Sequence, residues 1–384
     1  MKILFLVYHG FSEFSGISKK IHYQVKGLRE NGYEVHVCHY GFDDRGHRCR
    51  YIDDQIVKDY GTGEWAAMHQ RLDYRVVYKF CKENRIEMVY ARCFMNANPW
   101  LIRFFKKLNK LGIRSVTEIP TYPYDEELKS WGWRTQIQLK IDQTYRERLG
   151  REMVAYVTFS DAEQIFGQRT IRISNGVDFD SIPLHQFHSA DDGALHMIAV
   201  AEMHIWHGYD RLVAGIGEYY RNTPHPRKII FHMVGEMNRH DMNEGNSYHP
   251  AYKAMIAQYG IEENIIFHGA LFGEELDRVF NQCQFAIGSL ARHRSGITVI
   301  KTLKNREYAT RGLPFIYSEM DSDFDEQPYV LKVPADESPI DVQRILNFID
   351  QHQFNPQDIR KTVEHLTWKI QMKKVVDEVF DNKL

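Results

Sequence analysis

Runs of apolar residues alternate with amphipathic stretches along most of the chain. Ile3 to Tyr8 is almost continuously apolar, the pattern of a parallel strand covered on both faces. Ile17, Ile21, Val25 and Leu28 then recur at helical spacing, Asn31-Gly32 supplies a stop, and Glu34 to Cys38 reads as a second strand. Further strands are predicted at 87–92, 113–118, 155–159 and 170–173, with helices between most of them. Around 180–193 the pattern breaks at Pro183, His185, His188 and Asp191-Asp192-Gly193. A second series follows, with strands near 196–201, 228–234, 264–267, 285–289 and 314–317. From about Leu366 the tail reads as a helix whose apolar residues are Trp368, Ile370, Val375 and Val376. Strands alternating with helices predict parallel α/β sheets. The reading is therefore two Rossmann-like domains across a cleft, over 1–185 and 186–365, with a helix over 366–384 returning to the first.

Bulk properties narrow the class. The 384 residues suit two cores rather than one, and 43% hydrophobic residues can fill both. A formal net charge of −2 carries no mark of a nucleic-acid binder. The five cysteines form no regular framework, which fits reduced thiols in the cytoplasm. No run approaches the ~20 apolar residues of a membrane span. Met1 to Tyr8 resembles a short signal sequence but lacks a small-residue cleavage site, so a first strand is preferred.

Chemistry concentrates in the second half. Ligands of open parallel sheets bind beyond the carboxyl ends of strands, where loop amides and helix N-termini are free. Five such places occur in order: Ala201-Glu202 through His207-Gly208, Gly235-Glu236, His268-Gly269, Ser289 through Gly296, and a helix carrying Glu307. That helix is predicted to start just before Glu307 and to stop at Gly312, with Pro314 unable to continue it. Each place alone is ordinary turn chemistry; the recurrence points to a ligand.

Four segments carry a family resemblance. Ser174-Asn175-Gly176-Val177-Asp178, His207-Gly208-Tyr209-Asp210, Phe267-His268-Gly269 and Glu307 with Gly312 and Pro314 occur in the order in which GT-B glycosyltransferases close to glycosyltransferase family 4 carry similar motifs. The chain resembles that family over essentially its full length. The resemblance implies transfer of a sugar from a nucleoside diphosphate donor to a hydroxyl of a glycan or lipid-linked glycan, as in bacterial surface-polysaccharide or capsule synthesis. It further implies retention of configuration, no metal and no cofactor beyond the co-substrate. The chain departs from the family at Val299, where the first glutamate of the Glu-seven-residues-Glu motif belongs. It departs again at Glu202 and His207, which replace the arginine and lysine of the diphosphate clamp.

A glutamate ~4 Å from a diphosphate costs about 4 kcal/mol per charge pair at an effective dielectric of about 20. Glu202 is therefore assigned to sugar or ribose hydroxyls, or to a turn. The diphosphate is assigned instead to the basic run Arg292, His293, Arg294, Lys301, Lys304 and Arg306, with Lys304 foremost. Glu307 is the candidate for the ribose hydroxyls, because a carboxylate offers paired acceptors. Gly16, Gly235 and Gly269 mark close backbone approaches to the donor, and His207 is a further donor contact. Glu118, at a strand end, is the candidate facing the acceptor. The catalytic set expected is thus Glu118, Lys304 and Glu307.

Ordinary alternatives stand beside each assignment: a solvated basic loop, a helix-start glutamate, a turn glycine. His36, Cys38, His39, His47 and Cys49 fit no common zinc spacing. The helix over 100–111 bears Phe104 and Phe105 beside Arg103, Lys106, Lys107 and Lys110, which suits either packing on its own sheet or contact with anionic lipid. A sugar-nucleotide epimerase and a catalytically silent nucleotide-binding partner remain open. A plain dehydrogenase is discounted because no Gly-x-Gly-x-x-Gly follows the first strand.

Overall fold

A computed structural model describes residues 1–11, 16–92, 95–125, 128, 132–186, 192–236 and 248–381, the side chains of 248–251 excepted. His188 and Asp191 of the expected break, and the residues just before Gly16, lie outside the described residues. The chain forms two compact units: Met1–Gly176 with Leu366–Leu384, and Val177–His365.

The first unit is built on β1 (Lys2–Val7), β2 (Glu34–Phe42), β3 (Arg48–Ile52), β4 (Gln55–Asp59), β5 (Met88–Arg92), β6 (Arg114–Ile119), β7 (Ala155–Thr158), β8 (Gln164–Ile165) and β9 (Gln168–Arg172). They lie in the order β4-β3-β2-β1-β5-β6-β7-β9-β8. Strands β2, β1, β5, β6, β7 and β9 run parallel; β3, β4 and β8 attach antiparallel at the edges. Ile3 through Val7 are completely buried, as their unbroken apolar run requires. Helices α1 (Gly16–Glu30), α2 (Gly63–Leu72), α3 (Arg75–Glu83), α4 (Pro99–Asn109) and α5 (Trp133–Gly150) connect them. On α1, Ile21, Val25 and Leu28 face the core, but Ile17 is 48% exposed in the first turn, outside the expected stripe.

The hairpin β3–β4 was not predicted. It turns on Asp53 and Asp54, both in the left-handed region at φ 49° and 63°. Asparagine and glycine are the usual residues at such a turn, so Asp-Asp gave little signal.

The second unit contains β10 (Leu195–Val200), β11 (Ile229–Val234), β12 (Ile265–Gly269), β13 (Phe285–Ile287), β14 (Phe315–Tyr317) and β15 (Val330–Lys332), all parallel. Their order, β12-β11-β10-β13-β14-β15, is the doubly wound 3-2-1-4-5-6 arrangement. Its helices are α6 (Tyr209–Asn222), α7 (Tyr248–Tyr259), α8 (Gly273–Phe280), α9 (Leu303–Arg311), α10 (Val342–Gln351) and α11 (Pro356–Lys361).

The unit boundary falls at Gly176, before the expected 185, because the next residues are tied to the second unit. Arg360 donates to the carbonyls of Phe179 (2.9 Å) and Ile182 (2.9 Å), and the His185 N–H donates to the Arg311 carbonyl at 2.8 Å. The final helix, α12 (Trp368–Phe380), belongs to the first unit, where Trp368, Met372, Val375, Val376 and Val379 share a core with Ile21, Val25 and Leu28. A methyl group on Gly176 would lie 2.4 Å from the Trp368 ring, and one on Gly27 2.6 Å from the Trp368 backbone. The glycine of the Asn-Gly-Val-Asp segment thus makes room for Trp368.

Candidate functional site

In a 3-2-1-4-5-6 sheet the order reverses between the first and fourth strands, here β10 and β13, and ligands settle at the carboxyl ends beside that switch. The loops leaving these two strands are locked together. The Leu290 N–H donates to the His207 carbonyl at 2.9 Å, and a side chain at Gly208 (φ 63°) would strike Ala291 and Leu290 at 2.7–2.9 Å. The neighbouring strand ends are joined in the same way. Ala201 N–H donates to Val234 (3.0 Å), Met203 N–H to Glu236 (2.8 Å) and Gly235 N–H to Gly269 (2.7 Å). Gly235 cannot be replaced, since a Cβ there would fall 1.8 Å from the Ala201 oxygen. Gly269 (φ 69°) has open space above it. Glu202, Gly235 and Gly269 are therefore brought to one edge of the sheet, and His207 stands in the next loop.

Helix α9 is anchored beneath this edge. Thr302 caps it through the Asn305 N–H, and Gly312 ends it at φ 82°. The Tyr308 hydroxyl donates to the Ile287 carbonyl at 3.1 Å and accepts from the Val200 N–H at 3.2 Å, pinning the helix under both switch strands. Lys304 emerges from its first turn. Its ammonium donates to the Tyr209 hydroxyl at 3.1 Å and lies near Arg292, whose guanidinium sits 5.3 Å from the Trp206 ring centre.

Opposite stands Glu319, two residues past β14 and 1% exposed. Neither carboxylate oxygen accepts a hydrogen bond from another residue among the described residues. Burial pushes its carboxyl up to about 7, against the pull of its own backbone N–H and then of Lys304 and Arg292. Burial likewise brings Lys304 down to about 7, Glu319 opposing and Arg292 assisting. Burial, then the charges of Lys304, His204 and Arg292, push the His207 imidazole well below its usual value. Two cations, a neutral imidazole and a carboxylate with vacant acceptors thus share one strand-end site. Such clustering of displaced titrations is a mark of functional sites.

The basic run sorts itself by partner. Arg306 is completely buried and pairs with Asp321 (2.8 Å) and Asp323, so its assignment to the donor is corrected: its guanidinium is enclosed by the fold. Arg294 is corrected likewise, because Asp210 (2.8 Å) and Glu337 already hold it against the start of α6. His293 pairs with Glu337 at 2.7 Å and Lys301 with Asp323 at 3.4 Å. Only Lys304 and Arg292 of the six turn towards Glu319.

Glu307 is the fifth residue of α9 rather than its start. Arg311 donates to its Oε1 at 3.0 Å and is itself held by Asp277 at 2.7 Å. The helix thereby fixes the Glu307 carboxylate while engaging one oxygen. His207 is turned inward: its Nδ1 accepts from the His204 N–H at 3.0 Å and its ring stacks on Tyr209. Val299 pairs in parallel with Met320, the Met320 N–H donating to Thr298 at 2.7 Å and the Ile300 N–H to Met320 at 3.0 Å. Glu319 is thus the residue next to Met320 on the backbone that bridges to Val299. Sequence reasoning overlooked Glu319 because Ser318-Glu319-Met320 resembles a plain strand-to-loop exit.

In the first unit, Glu118 does not face an acceptor. It is completely buried and accepts from Tyr90 (2.6 Å), Gln24 (2.7 Å) and Arg92 (3.2 Å), with Lys20 at 3.4 Å. Burial pushes its carboxyl up, but Lys20, Arg92, Tyr90 and Gln24 together hold it below the usual range. The catalytic assignment of Glu118 is corrected on that ground. Gly16 opens α1 at the surface, and a Cβ there would meet nothing within 4 Å. Among the described residues, Asp43, His47 and Asp59 bring three potential metal-ligand atoms within 4.8 Å of one another, but Arg45 already bridges the two aspartates. No described helix is long and apolar enough to cross a membrane.

No protein-family model matches this chain, and a search of the curated proteins returns no match. Solved structures do resemble it. A glycosyltransferase from Rickettsia africae ESF-5 superposes with a TM-score of 0.68 at 13% identity, covering 100% of this chain and 99% of that one. The apo lipopolysaccharide outer core galactosyltransferase WaaB gives 0.63 at 13% identity, with 99% of each chain covered. A UDP-GlcNAc 2-epimerase from Neisseria meningitidis, bound to UDP-GlcNAc, gives 0.51 at 11% identity over 100% of both chains. The fold is that of GT-B proteins, two Rossmann-like units in one chain.

Proposed function

We propose that the chain is a glycosyltransferase that binds a nucleoside diphosphate sugar at the carboxyl ends of β10, β13 and β14. It transfers the sugar to a hydroxyl of a glycan or lipid-linked glycan in polysaccharide synthesis. The observation that carries this reading is the buried Glu319 carboxylate, which accepts from no other residue among the described residues and stands opposite Lys304 and Arg292. Lys304 and Arg292 meet the diphosphate, and their charge stabilises it as it leaves. Glu307, steadied by Arg311, offers its Oε2 to the ribose hydroxyls. Glu319 accepts from hydroxyls of the transferred sugar, the position Val299 cannot fill. Glu202, Gly235 and Gly269 line the nucleotide side, where the open space at Gly269 lets a flat base approach. Retention and independence of metal follow from the family resemblance, with the leaving phosphate taking the acceptor's proton on the same face.

The test is a thermal-shift panel of UDP, GDP, ADP, CMP and their sugars. One base class is expected to raise the melting temperature, and Glu307→Ala to weaken that nucleotide by about 1.5–3 kcal/mol, the loss of a charged hydrogen bond. A panel without any shift, or an unchanged affinity in Glu307→Ala, overturns the reading. The epimerase among the similar structures motivates a second reading. An epimerase would convert the donor with no acceptor present, whereas a transferase would hydrolyse it only slowly.

A further inference from the structure

Three histidines cross the second sheet in a line that the transferase reading does not use. His196 on β10, His232 on β11 and His268 on β12 stand on neighbouring parallel strands. His196 Nδ1 meets His232 Nε2 at 2.9 Å, and His232 Nδ1 meets His268 Nε2 at 2.9 Å. The ring centres lie 5.2 Å apart at each step. The strand register gives the line a direction. Ile198 of β10 pairs with His232, and His232 pairs with Ile266 of β12, so each step also advances two residues towards the carboxyl ends. Side chains two residues apart share one face of a strand, which lets the rings meet. The line begins at Asp192, whose Oδ1 lies 3.3 Å from His196 Nε2, and ends at His268, one residue before Gly269 on the ligand edge.

The hydrogens available fix the sense of every bond in this line. A neutral imidazole has one N–H and one acceptor nitrogen, and an ionised carboxylate only accepts. The Ala194 N–H at 3.0 Å and then Lys228 at 3.1 Å hold Asp192 below the usual carboxylate range. In the neutral line His196 therefore donates from Nε2 and accepts at Nδ1, and His232 and His268 must do the same. His268 is left with a bare acceptor, Nδ1, at the outer end. One added proton keeps every bond. It binds His268 Nδ1, each ring passes its Nε2 hydrogen to Nδ1 of the next, and the charge comes to rest on His196 beside Asp192. The bonds between the rings are then reversed, and His268, itself neutral, presents Nδ1–H. A second proton would set two N–H groups against each other within one bond.

The surroundings favour a charge at His196 rather than further along. Among the described residues, the charged groups that meet the line are Asp192 and, through it, Lys228. Burial lowers the His268 imidazole, and burial, then His196 and His268, bring His232 down to about 4. We propose that Asp192, His196, His232 and His268 form a one-proton relay that sets, from the amino edge of the sheet, whether His268 accepts or donates a hydrogen bond at the ligand edge. A ligand group meeting His268 donates its hydrogen to the neutral relay and accepts one from the charged relay. On the transferase reading that ligand is the donor nucleotide, and Asp192, His196 and His232 are positioning residues acting through His268. The relay itself does not depend on that reading.

The test is NMR of isotope-labelled imidazole nitrogens in the full chain, titrated from about pH 8 to about pH 5. At the upper end all three rings are expected as Nε2–H tautomers. On acidification they should take up one proton together, and His268 should change to the neutral Nδ1–H tautomer. Asp192→Asn, whose amide donates as well as accepts, should mix the His268 tautomers at the upper end while the melting temperature stays near that of wild type. His232→Phe cuts the relay, and His268 should then titrate alone through an imidazolium. If His232→Phe fails to fold, the wild-type titration and Asp192→Asn decide. Three independent titrations, an Nδ1–H His268 at the upper end, or unchanged His268 signals in Asp192→Asn overturn the proposal. UDP or GDP, whichever raises the melting temperature, should also move the His268 nitrogens; binding that leaves them unmoved overturns the role at the ligand edge. A relay that titrates as described in a chain that binds no nucleotide sinks the transferase reading and leaves the relay standing.

Discussion

Each unit places one fully buried glutamate among cations at the carboxyl ends of its parallel strands, and the two are built in opposite ways. Glu118 in the first unit is saturated: Tyr90, Gln24 and Arg92 donate to it, and Lys20 stands at 3.4 Å. Glu319 in the second accepts from no other side chain among the described residues, and burial outweighs the pull of its own backbone N–H, Lys304 and Arg292. A saturated buried carboxylate is held below its usual pKa, and an unsatisfied one is driven up to about 7. The first arrangement stabilises a fold. The second leaves acceptors vacant where a ligand with hydroxyl groups can fill them.

The comparison breaks most readily at Glu118. Glu118→Ala leaves Lys20 and Arg92 buried without their counter-charge, and should cost about 3–5 kcal/mol of stability, read as a lowered urea midpoint. The lowered carboxyl means that this stabilisation is present above the ordinary carboxylate pKa and is lost as pH falls through the folded value. The penalty of Glu118→Gln should therefore fade in acid. A Glu118→Ala chain as stable as wild type would show that the cluster is not structural.

Glu319→Gln should act with the opposite sign. Its folded pKa of about 7 lies above the ordinary 4.5. Wild-type stability attributable to this group is thus fully present below the ordinary value and is lost as pH rises through the folded one. At roughly 1.4 kcal/mol per pKa unit, the glutamine variant should gain about 3 kcal/mol over wild type by pH 8 and nothing at pH 4. The checking measurement is the melting temperature of both chains across that range. A destabilised variant at pH 8 would mean that Glu319 is already satisfied in the folded chain.

These two glutamates also mark how far the sequence can be read. The parallel strands were legible because burial on both faces leaves an unbroken apolar run, as in Ile3 to Val7. Helix α9 was legible from Gly312 and Pro314, and Lys304 from its place near the start of that helix. What escaped was pairing across distance. Arg294 and Arg306 look like neighbours of Lys304, yet Asp210, Glu337, Asp321 and Asp323 claim them from other parts of the fold. Glu118 looked available because nothing local announces that Lys20, Gln24, Tyr90 and Arg92 converge on it. Glu319 looked ordinary because nothing in Ser318-Glu319-Met320 announces that the carboxyl is buried opposite Lys304 and Arg292.

The smallest and sharpest effect concerns Lys304, whose role separates a ligand site from a merely strained one. Its ammonium is brought down to about 7 in the free chain, so near neutral pH a sizeable fraction is uncharged. A diphosphate contact favours the charged form and raises the pKa in the complex. Affinity for a nucleoside diphosphate sugar should then be greatest below about pH 7 and fall by up to about tenfold per pH unit above it, levelling off at the bound pKa. The sugar ester is the proper probe because its diphosphate does not titrate in this range. Lys304→Met should bind about 1.5–3 kcal/mol more weakly at pH 6, and the gap to wild type should narrow as pH rises. Glu319 also ionises near 7 and would itself repel the diphosphate, so the same titration in Glu319→Gln isolates the lysine. His207, held neutral, adds no slope in this range. If the Glu319→Gln chain shows a flat profile between pH 6 and about 9, Lys304 does not touch the diphosphate, and the vacancy around Glu319 is a packing feature of the strand end rather than a place for donor.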